Sequence, residues 1–201
     1  MFKRICSLLI VAIIAVTMLA GCDLMPKSVT MDQVTFKVGY TTYKFCDSTL
    51  QEVIDGSDVT CGNSAHYEDV KPGETKNIKC TFKSNGVPHT FDMVIWNNTD
   101  HKLKGYDCVI KEITIDSDGI HAIVPVSIMG VTLNDTYASF EQYFGTCKSI
   151  TENPDGNVYS WKNIPEKGGA YTITVVVSDQ HNNSTPTTNR IRILISPLET
   201  E

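Results

Sequence analysis

The stretch Ile78-Lys79-Cys80-Thr81-Phe82-Lys83-Ser84-Asn85-Gly86-Val87-Pro88-His89-Thr90-Phe91-Asp92-Met93-Val94-Ile95-Trp96 decides the fold class. Ile78 to Lys83 reads as a strand, with Cys80 and Phe82 spaced by two, the period at which side chains return to one face. His89 to Trp96 reads as a second strand, joined to the first through Ser84-Asn85-Gly86. Asn and Gly both tolerate positive φ, so Asn-Gly between strands marks a tight antiparallel hairpin.

Working outward, the same alternation recurs on both sides. Towards the N-terminus Val34, Phe36 and Val38 alternate with polar residues, Gly39-Tyr40 breaks the run, and Tyr43 and Phe45 alternate again, which predicts another hairpin. Asp47-Ser48-Thr49 then offers caps, Gln51 and Glu52 follow at capping-box distance, and Leu50, Val53 and Ile54 share a face before Gly56. These signals predict a short helix packed on that hairpin. Beyond Asn97-Asn98-Thr99-Asp100, Cys108 to Ile115 supplies a further strand.

The second half repeats this order. Ile120 to Val131 is mostly apolar, Asn134-Asp135-Thr136 caps a helix carrying Tyr137, Phe140 and Phe144, and Gly145 ends it. Strands are expected near Cys147 to Thr151, Val158 to Trp161, Tyr171 to Val177 and Asn189 to Ile195, with turns at 153–156 and 167–169 and along the polar run from Gln180 to Thr188. The expected fold is α+β, built from two small repeated modules, 34–118 and 119–201. Each is a short helix packed on an antiparallel β-meander.

Upstream of the modules, Lys3-Arg4 precedes an apolar run from Ile5 to Ala20 and the box Leu19-Ala20-Gly21-Cys22. A charged start, an apolar run and small residues are the parts of an export signal. The run lies just under the length that spans a bilayer, which leaves an uncleaved anchor as the other reading. The box resembles the lipobox of bacterial lipoproteins. That resemblance implies a signal peptide at 1–21, a diacylglyceryl group on the Cys22 thiol and a tether at 22–33, with the body lipid-anchored at the cell membrane and facing outside the cytoplasm. In a two-membrane bacterium Asp23 would resemble the signal that retains a lipoprotein at the inner membrane.

Among 201 residues, 17 are Lys or Arg and 23 are Asp or Glu, a net charge of −6, which argues against a nucleic-acid partner. The signal carries Lys3 and Arg4 and no acidic residue, so its removal makes the remainder more acidic still. Lipid rather than charge would then hold the protein at an anionic membrane.

Once Cys6 leaves and Cys22 is lipidated, Cys46, Cys61, Cys80, Cys108 and Cys147 remain. Export would place them in a disulfide-permissive compartment, with any bridges expected among Cys46, Cys61, Cys80 and Cys108 in the first half. Their connectivity stays open, as does the alternative that all are buried apolar residues.

From Asp135-Thr136 through Phe144-Gly145, the second unit resembles small extracytoplasmic modules such as the outer-membrane-assembly small lipoproteins and the β-lactamase inhibitor proteins. Asn134 and Thr146-Cys147 depart from their pattern. That resemblance implies binding or scaffolding of another protein, without catalysis.

His66, His89, His101, His121 and His181 are scattered, and no catalytic, phosphate-cradling or dinucleotide motif occurs. No catalytic residue, cofactor or metal is therefore assigned. Asp116-Ser117-Asp118-Gly119 starts like a calcium loop, but the twelfth position is Ser127 rather than Glu, and an inter-module turn accounts for it. Trp96, Trp161, Tyr137, Tyr143, Tyr159 and Tyr171 would serve either the core or an aromatic binding surface. The expected function is a non-catalytic protein- or envelope-binding module. The alternative is an envelope enzyme or enzyme inhibitor whose site is assembled from dispersed residues.

Overall fold

The computed structural model describes residues 29–117, 126–147, 149–154, 156–182 and 185–198. The signal 1–21, Cys22, most of the tether, Asp118-Gly119 and His121 lie outside the described residues.

In chain order the elements are β1 (Thr35–Val38), β2 (Thr41–Lys44), α1 (Leu50–Ser57), β3 (Thr60–Cys61), β4 (Asp69–Val70), β5 (Thr75–Ser84), β6 (Val87–Trp96), β7 (Leu103–Lys104), β8 (Val109–Asp116), β9 (Val126–Ile128), α2 (Ala138–Phe144), β10 (Ser149–Asn153), β11 (Gly156–Pro165), β12 (Tyr171–Asn182) and β13 (Thr185–Pro197). The structure is dominated by antiparallel β-sheet, with two short α-helices among the described residues.

Both predicted hairpins form. β5 and β6 pair from Thr75↔Trp96 to Ser84↔Val87, and Asn85 (φ 51°) and Gly86 (φ 80°) make the turn with positive φ at both central positions. Thr49 caps α1: its side chain accepts from the Glu52 N–H at 3.3 Å while Glu52 Oε2 accepts from the Thr49 N–H at 2.9 Å. The helix runs one residue past Gly56 and stops at Asp58, which is left-handed at φ 54°. Gly56 serves contact instead, because a Cβ there would lie 2.5 Å from the Tyr43 hydroxyl.

α2 starts later than the capping residues suggest. Asp135 Oδ2 accepts from the N–H and hydroxyl of Thr132 at 2.7 and 2.9 Å, which stabilises the turn before the helix. The polar run from Gln180 to Thr188, expected as a turn, is mostly ladder, with β12 and β13 paired out to Asn182↔Thr185. Backbone pairing needs no apolar side chain, so this hairpin extends beyond the residues that alternation identifies.

Eight strands form one antiparallel sheet in the order β10-β11-β12-β13-β8-β6-β5-β3. Strands from both halves of the chain enter it and meet where β8 pairs with β13, Arg190 opposite Asp116 and Ile193 opposite Ile113. A smaller sheet, β2-β1-β9, also joins the halves, with Phe36 opposite Ile128.

A single apolar core cluster includes residues of the large sheet (Met93, Ile113, Val175, Ile193), the small sheet (Phe36, Ile128) and both helices (Leu50, Val53, Phe140, Phe144). Leucine- to phenylalanine-sized side chains each contribute about 1.5–3 kcal/mol on full burial. This continuous layer covers one side of the large sheet; the other is exposed along β5, β6 and β13, while Glu112, Thr114 and Ser160 on that side are buried between their neighbours.

Candidate functional site: the open face of the sheet

Alternation along the long strands separates the two faces of the sheet. In β5, Ile78 and Cys80 are buried while Asn77, Lys79 and Lys83 are exposed; in β6, Phe91, Met93 and Ile95 are buried while Thr90 and Asp92 are exposed. In β13, Ile191, Ile193 and Ile195 enter the core and Arg190 and Arg192 face outward. In β12 the outward positions are Thr172, Thr174, Val176 and Ser178, all half-buried. An antiparallel sheet covered on one side gives this pattern.

Register lines the outward residues into rows. One row runs Lys79, Asp92, Thr114, Arg192, Val176, Ser160 and Ser149, each directly opposite the next, from β5 across to β10. Beside it, Val94, Glu112, Leu194 and Thr174 form a second row in the same way. Directly opposed residues share a face, so the rows join both halves of the chain into one surface.

Charge at the seam is paired. Arg192 donates to Glu112 in two bonds, Nε to Oε1 at 2.6 Å and Nη2 to Oε2 at 3.0 Å, and the Glu112 side chain is 12% exposed against 44% for Arg192. These bonds raise the Arg192 pKa above the usual arginine value. Arg190 Nε lies 3.1 Å from Asp116 Oδ1, and burial holds the Asp116 carboxyl above the ordinary aspartate value despite that cation. Near one end of β6, the Lys111 ammonium sits 5.4 Å from the centre of the half-buried Trp96 ring. The face therefore mixes paired charges, hydroxyls and a few apolar side chains, which suits contact with a broad surface.

The remaining aromatic candidates are mostly structural. Trp161 is buried, packs at 6.1 Å on Phe140 and donates Nε1–H to the Gly145 carbonyl at 2.8 Å. Tyr159 is buried, stacks on Tyr137 at 3.7 Å and donates to Asp179 Oδ2 at 3.1 Å. The most exposed large aromatics are Tyr40 and Tyr67. Tyr67 lines a cleft of about 350 Å³ beside α1, together with Gln51, Ile54, Cys61 and His66.

Among the described residues, Cys46, Cys61, Cys80, Cys108 and Cys147 stand as free thiols. Cys61 and Cys80 face each other across β3 and β5. Cys46 and Cys108 are pushed up to about 12 and about 11, chiefly by burial. Cys147 lies in the second half, its sulfur 3.1 Å from the Ser149 carbonyl. His66 Nδ1 contacts the Asn63 carbonyl at 2.7 Å, His89 is buried in β6, and His101 pairs with Asp100 at 3.0 Å. Among the described residues, no three His, Cys, Asp or Glu side chains are grouped to hold a metal ion. Comparison with known protein families, with curated proteins and with solved structures found no match to this chain.

Of the open-face residues, Trp96 is picked out from sequence but the charged rows are not. Their signal was present in Arg190-Ile191-Arg192-Ile193, where strict alternation places both cations on one face. Which strand would oppose them was not readable, because Asp116 and Glu112 lie in the other half of the chain.

Proposed function

We propose that this chain is a bacterial lipoprotein, anchored through Cys22 and facing outside the cytoplasm, whose body binds another protein or an envelope component without catalysis. The observation that carries the binding reading is the open face of the eight-stranded sheet. It is continuous across both halves and lined by Lys79, Asp92, Arg192, Leu194 and Val176. Most soluble sheets of this size cover both faces or keep the open one polar, and here Val94, Val176 and Leu194 interrupt the polar rows. The anchoring reading rests on Lys3-Arg4, the apolar run and Leu19-Ala20-Gly21-Cys22.

The same proposal takes the body as two modules related by duplication, 34–118 and 119–201. Strand order supports it: α1 precedes β3, β5, β6 and β8, neighbours in that order, and α2 precedes β10, β11, β12 and β13, neighbours in that order. The last strand of each series pairs with the other, and β1, the first strand of the first half, pairs with β9, the strand before α2.

The experiment is site-specific photo-crosslinking on intact cells, with the reactive side chain at position 176 on the open face or at position 102, just before β7 in the two-stranded antiparallel ribbon of β4 and β7. A discrete adduct from position 176 alone is expected. Equal adducts from both positions, or none from 176, would refute binding through this face.

A further inference from the structure

We infer that Cys61 and Cys80 form a cross-strand disulfide that staples the edge of the large sheet. The two residues are directly opposed partners in the antiparallel pairing of β3 with β5. Opposed residues in such a pair have Cα atoms about 4.5 or 5.5 Å apart and side chains on one face, within the window a disulfide requires. Among the described residues, no other pair of cysteines shares this relation. Cys46 lies between β2 and α1, Cys108 precedes β8 with its sulfur 3.4 Å from the Lys104 carbonyl, and Cys147 is in the second half. The two thiols also differ in environment. Cys80 is fully buried in the core, whereas Cys61 is partly exposed in the cleft beside α1. A hydrogen bond from Cys80 draws the Cys61 thiol below its ordinary value, while Cys61 and burial hold Cys80 well above its own.

That asymmetry sets the order of the chemistry. The Cys61 thiolate attacks a disulfide of an oxidised dithiol carrier, or of oxidised glutathione, and expels one carrier thiolate. The Cys80 sulfur, losing its proton, then attacks the Cys61 sulfur of the mixed disulfide and expels the second. Two thiols of the chain are oxidised, one carrier disulfide is reduced to two thiols, and the protons of Cys61 and Cys80 end on the carrier sulfurs.

The staple has a structural consequence. β3 is two residues long and pairs only at Thr60↔Thr81 and Cys61↔Cys80, and Gly62 N–H and the Asn63 side chain hold the chain beyond it to the Lys79 and Asn77 carbonyls. A covalent link would fix this weak edge and the cleft wall carrying His66 and Tyr67. The pairing rests on register alone. Its formation in the cell rests in addition on the export reading.

The test treats the purified chain with oxidised glutathione, blocks remaining thiols with N-ethylmaleimide under denaturing conditions, digests without reduction and maps the peptides. The expected product joins the Cys61 and Cys80 peptides, about 2 Da lighter than their sum, with Cys46, Cys108 and Cys147 alkylated. Reduction should lower the melting temperature by roughly 5–10 °C, and Cys61→Ser should lose both the joined peptide and that shift. Alkylation of both Cys61 and Cys80 after oxidation, stable glutathione adducts on either, or a link to Cys46 or Cys108 overturns the pairing. A pair that closes in the tube but is found reduced in protein taken from cells supports the pairing and counts against export.

Discussion

Arg192 covers Glu112 at the seam between the two halves of the sheet, bonding both carboxylate oxygens at 2.6 and 3.0 Å. Glu112 is the more buried partner, at 12% side-chain exposure, so removing the guanidinium would leave a largely desolvated carboxylate without its cation. Arg192→Met is expected to destabilise the chain by about 1–2 kcal/mol, less than a fully buried pair would cost because Arg192 itself is half-exposed. Urea denaturation measures it. The companion double variant Arg192→Met with Glu112→Gln should recover part of the loss, and an unchanged midpoint in the single variant would show that the pair contributes nothing.

Asp116, in the same seam, predicts a pH dependence of defined sign. The Asp116 side chain is half-exposed, and its partial desolvation places the folded-state pKa above the ordinary value of 3.8, so the folded chain holds this proton more tightly than the unfolded one. The stability it contributes is fully present below the ordinary value and is lost as pH rises through the folded value. Asp116→Asn cannot titrate. Wild type should therefore lose stability relative to this variant as pH rises from below 3.8 through the raised folded-state value, measured as urea midpoints at several pH values. A relative gain over that range would mean that Arg190, at 3.1 Å, outweighs the burial.

Gly156 tests close packing rather than charge. Its φ is 150°, and a Cβ would lie 2.0 Å from the Asp179 backbone carbonyl, beside the point where Asp179 Oδ1 accepts from the Asn157 N–H at 2.6 Å. Backbone cannot swing aside as a side chain can. Gly156→Ala should cost about 3 kcal/mol or more, seen as a large drop in melting temperature or loss of soluble protein. Gly73→Ala, where a Cβ would meet nothing within 4 Å, carries only the strain of φ 76° and should cost about 1 kcal/mol.

Thr49 tests the helix cap that the sequence displayed. Thr49→Ala removes the side-chain acceptor of the Glu52 N–H and should cost about 1 kcal/mol, while Thr49→Ser should be near neutral. Thermal melts of the two variants decide between a cap and a merely tolerated hydroxyl.

Features of this kind were legible because they are local. Thr49 with Glu52, Asn85 with Gly86, and Phe140 with Phe144 announce a cap, a turn and a helix face within a few residues of each other. Long-range pairing left no comparable trace. Nothing near Arg190 names Asp116 as its partner, and nothing near Phe36 names Ile128, because antiparallel pairing between distant strands depends on the assembled core. The ribbon strands β4 and β7, two residues each, are too short to show a period at all. The cysteines show the same limit: Cys61 and Cys80, two of four candidates for bridging, stand out as a pair only once β3 is known to lie against β5.

The binding reading predicts a separation between stability and capture. Asp92 is exposed on the open face, opposite Lys79 on one side and Thr114 on the other. Asp92→Lys would place two cations side by side, a cross-strand repulsion of about 0.5–1 kcal/mol, which leaves the fold intact. It would also reverse charge within the row that includes Arg192 and Val176, two strands from Arg192, where a bound partner would press against it. Lys102→Glu, just before β7, disturbs the exposed pair with Asp69 at 3.1 Å and serves as the control. Crosslinking from position 176 should fall at least tenfold in Asp92→Lys and stay unchanged in Lys102→Glu, with both variants melting within a few degrees of wild type. If the adduct persists undiminished in Asp92→Lys, whatever position 176 touches is not recognised through this row, and the partner surface must be sought elsewhere on the molecule.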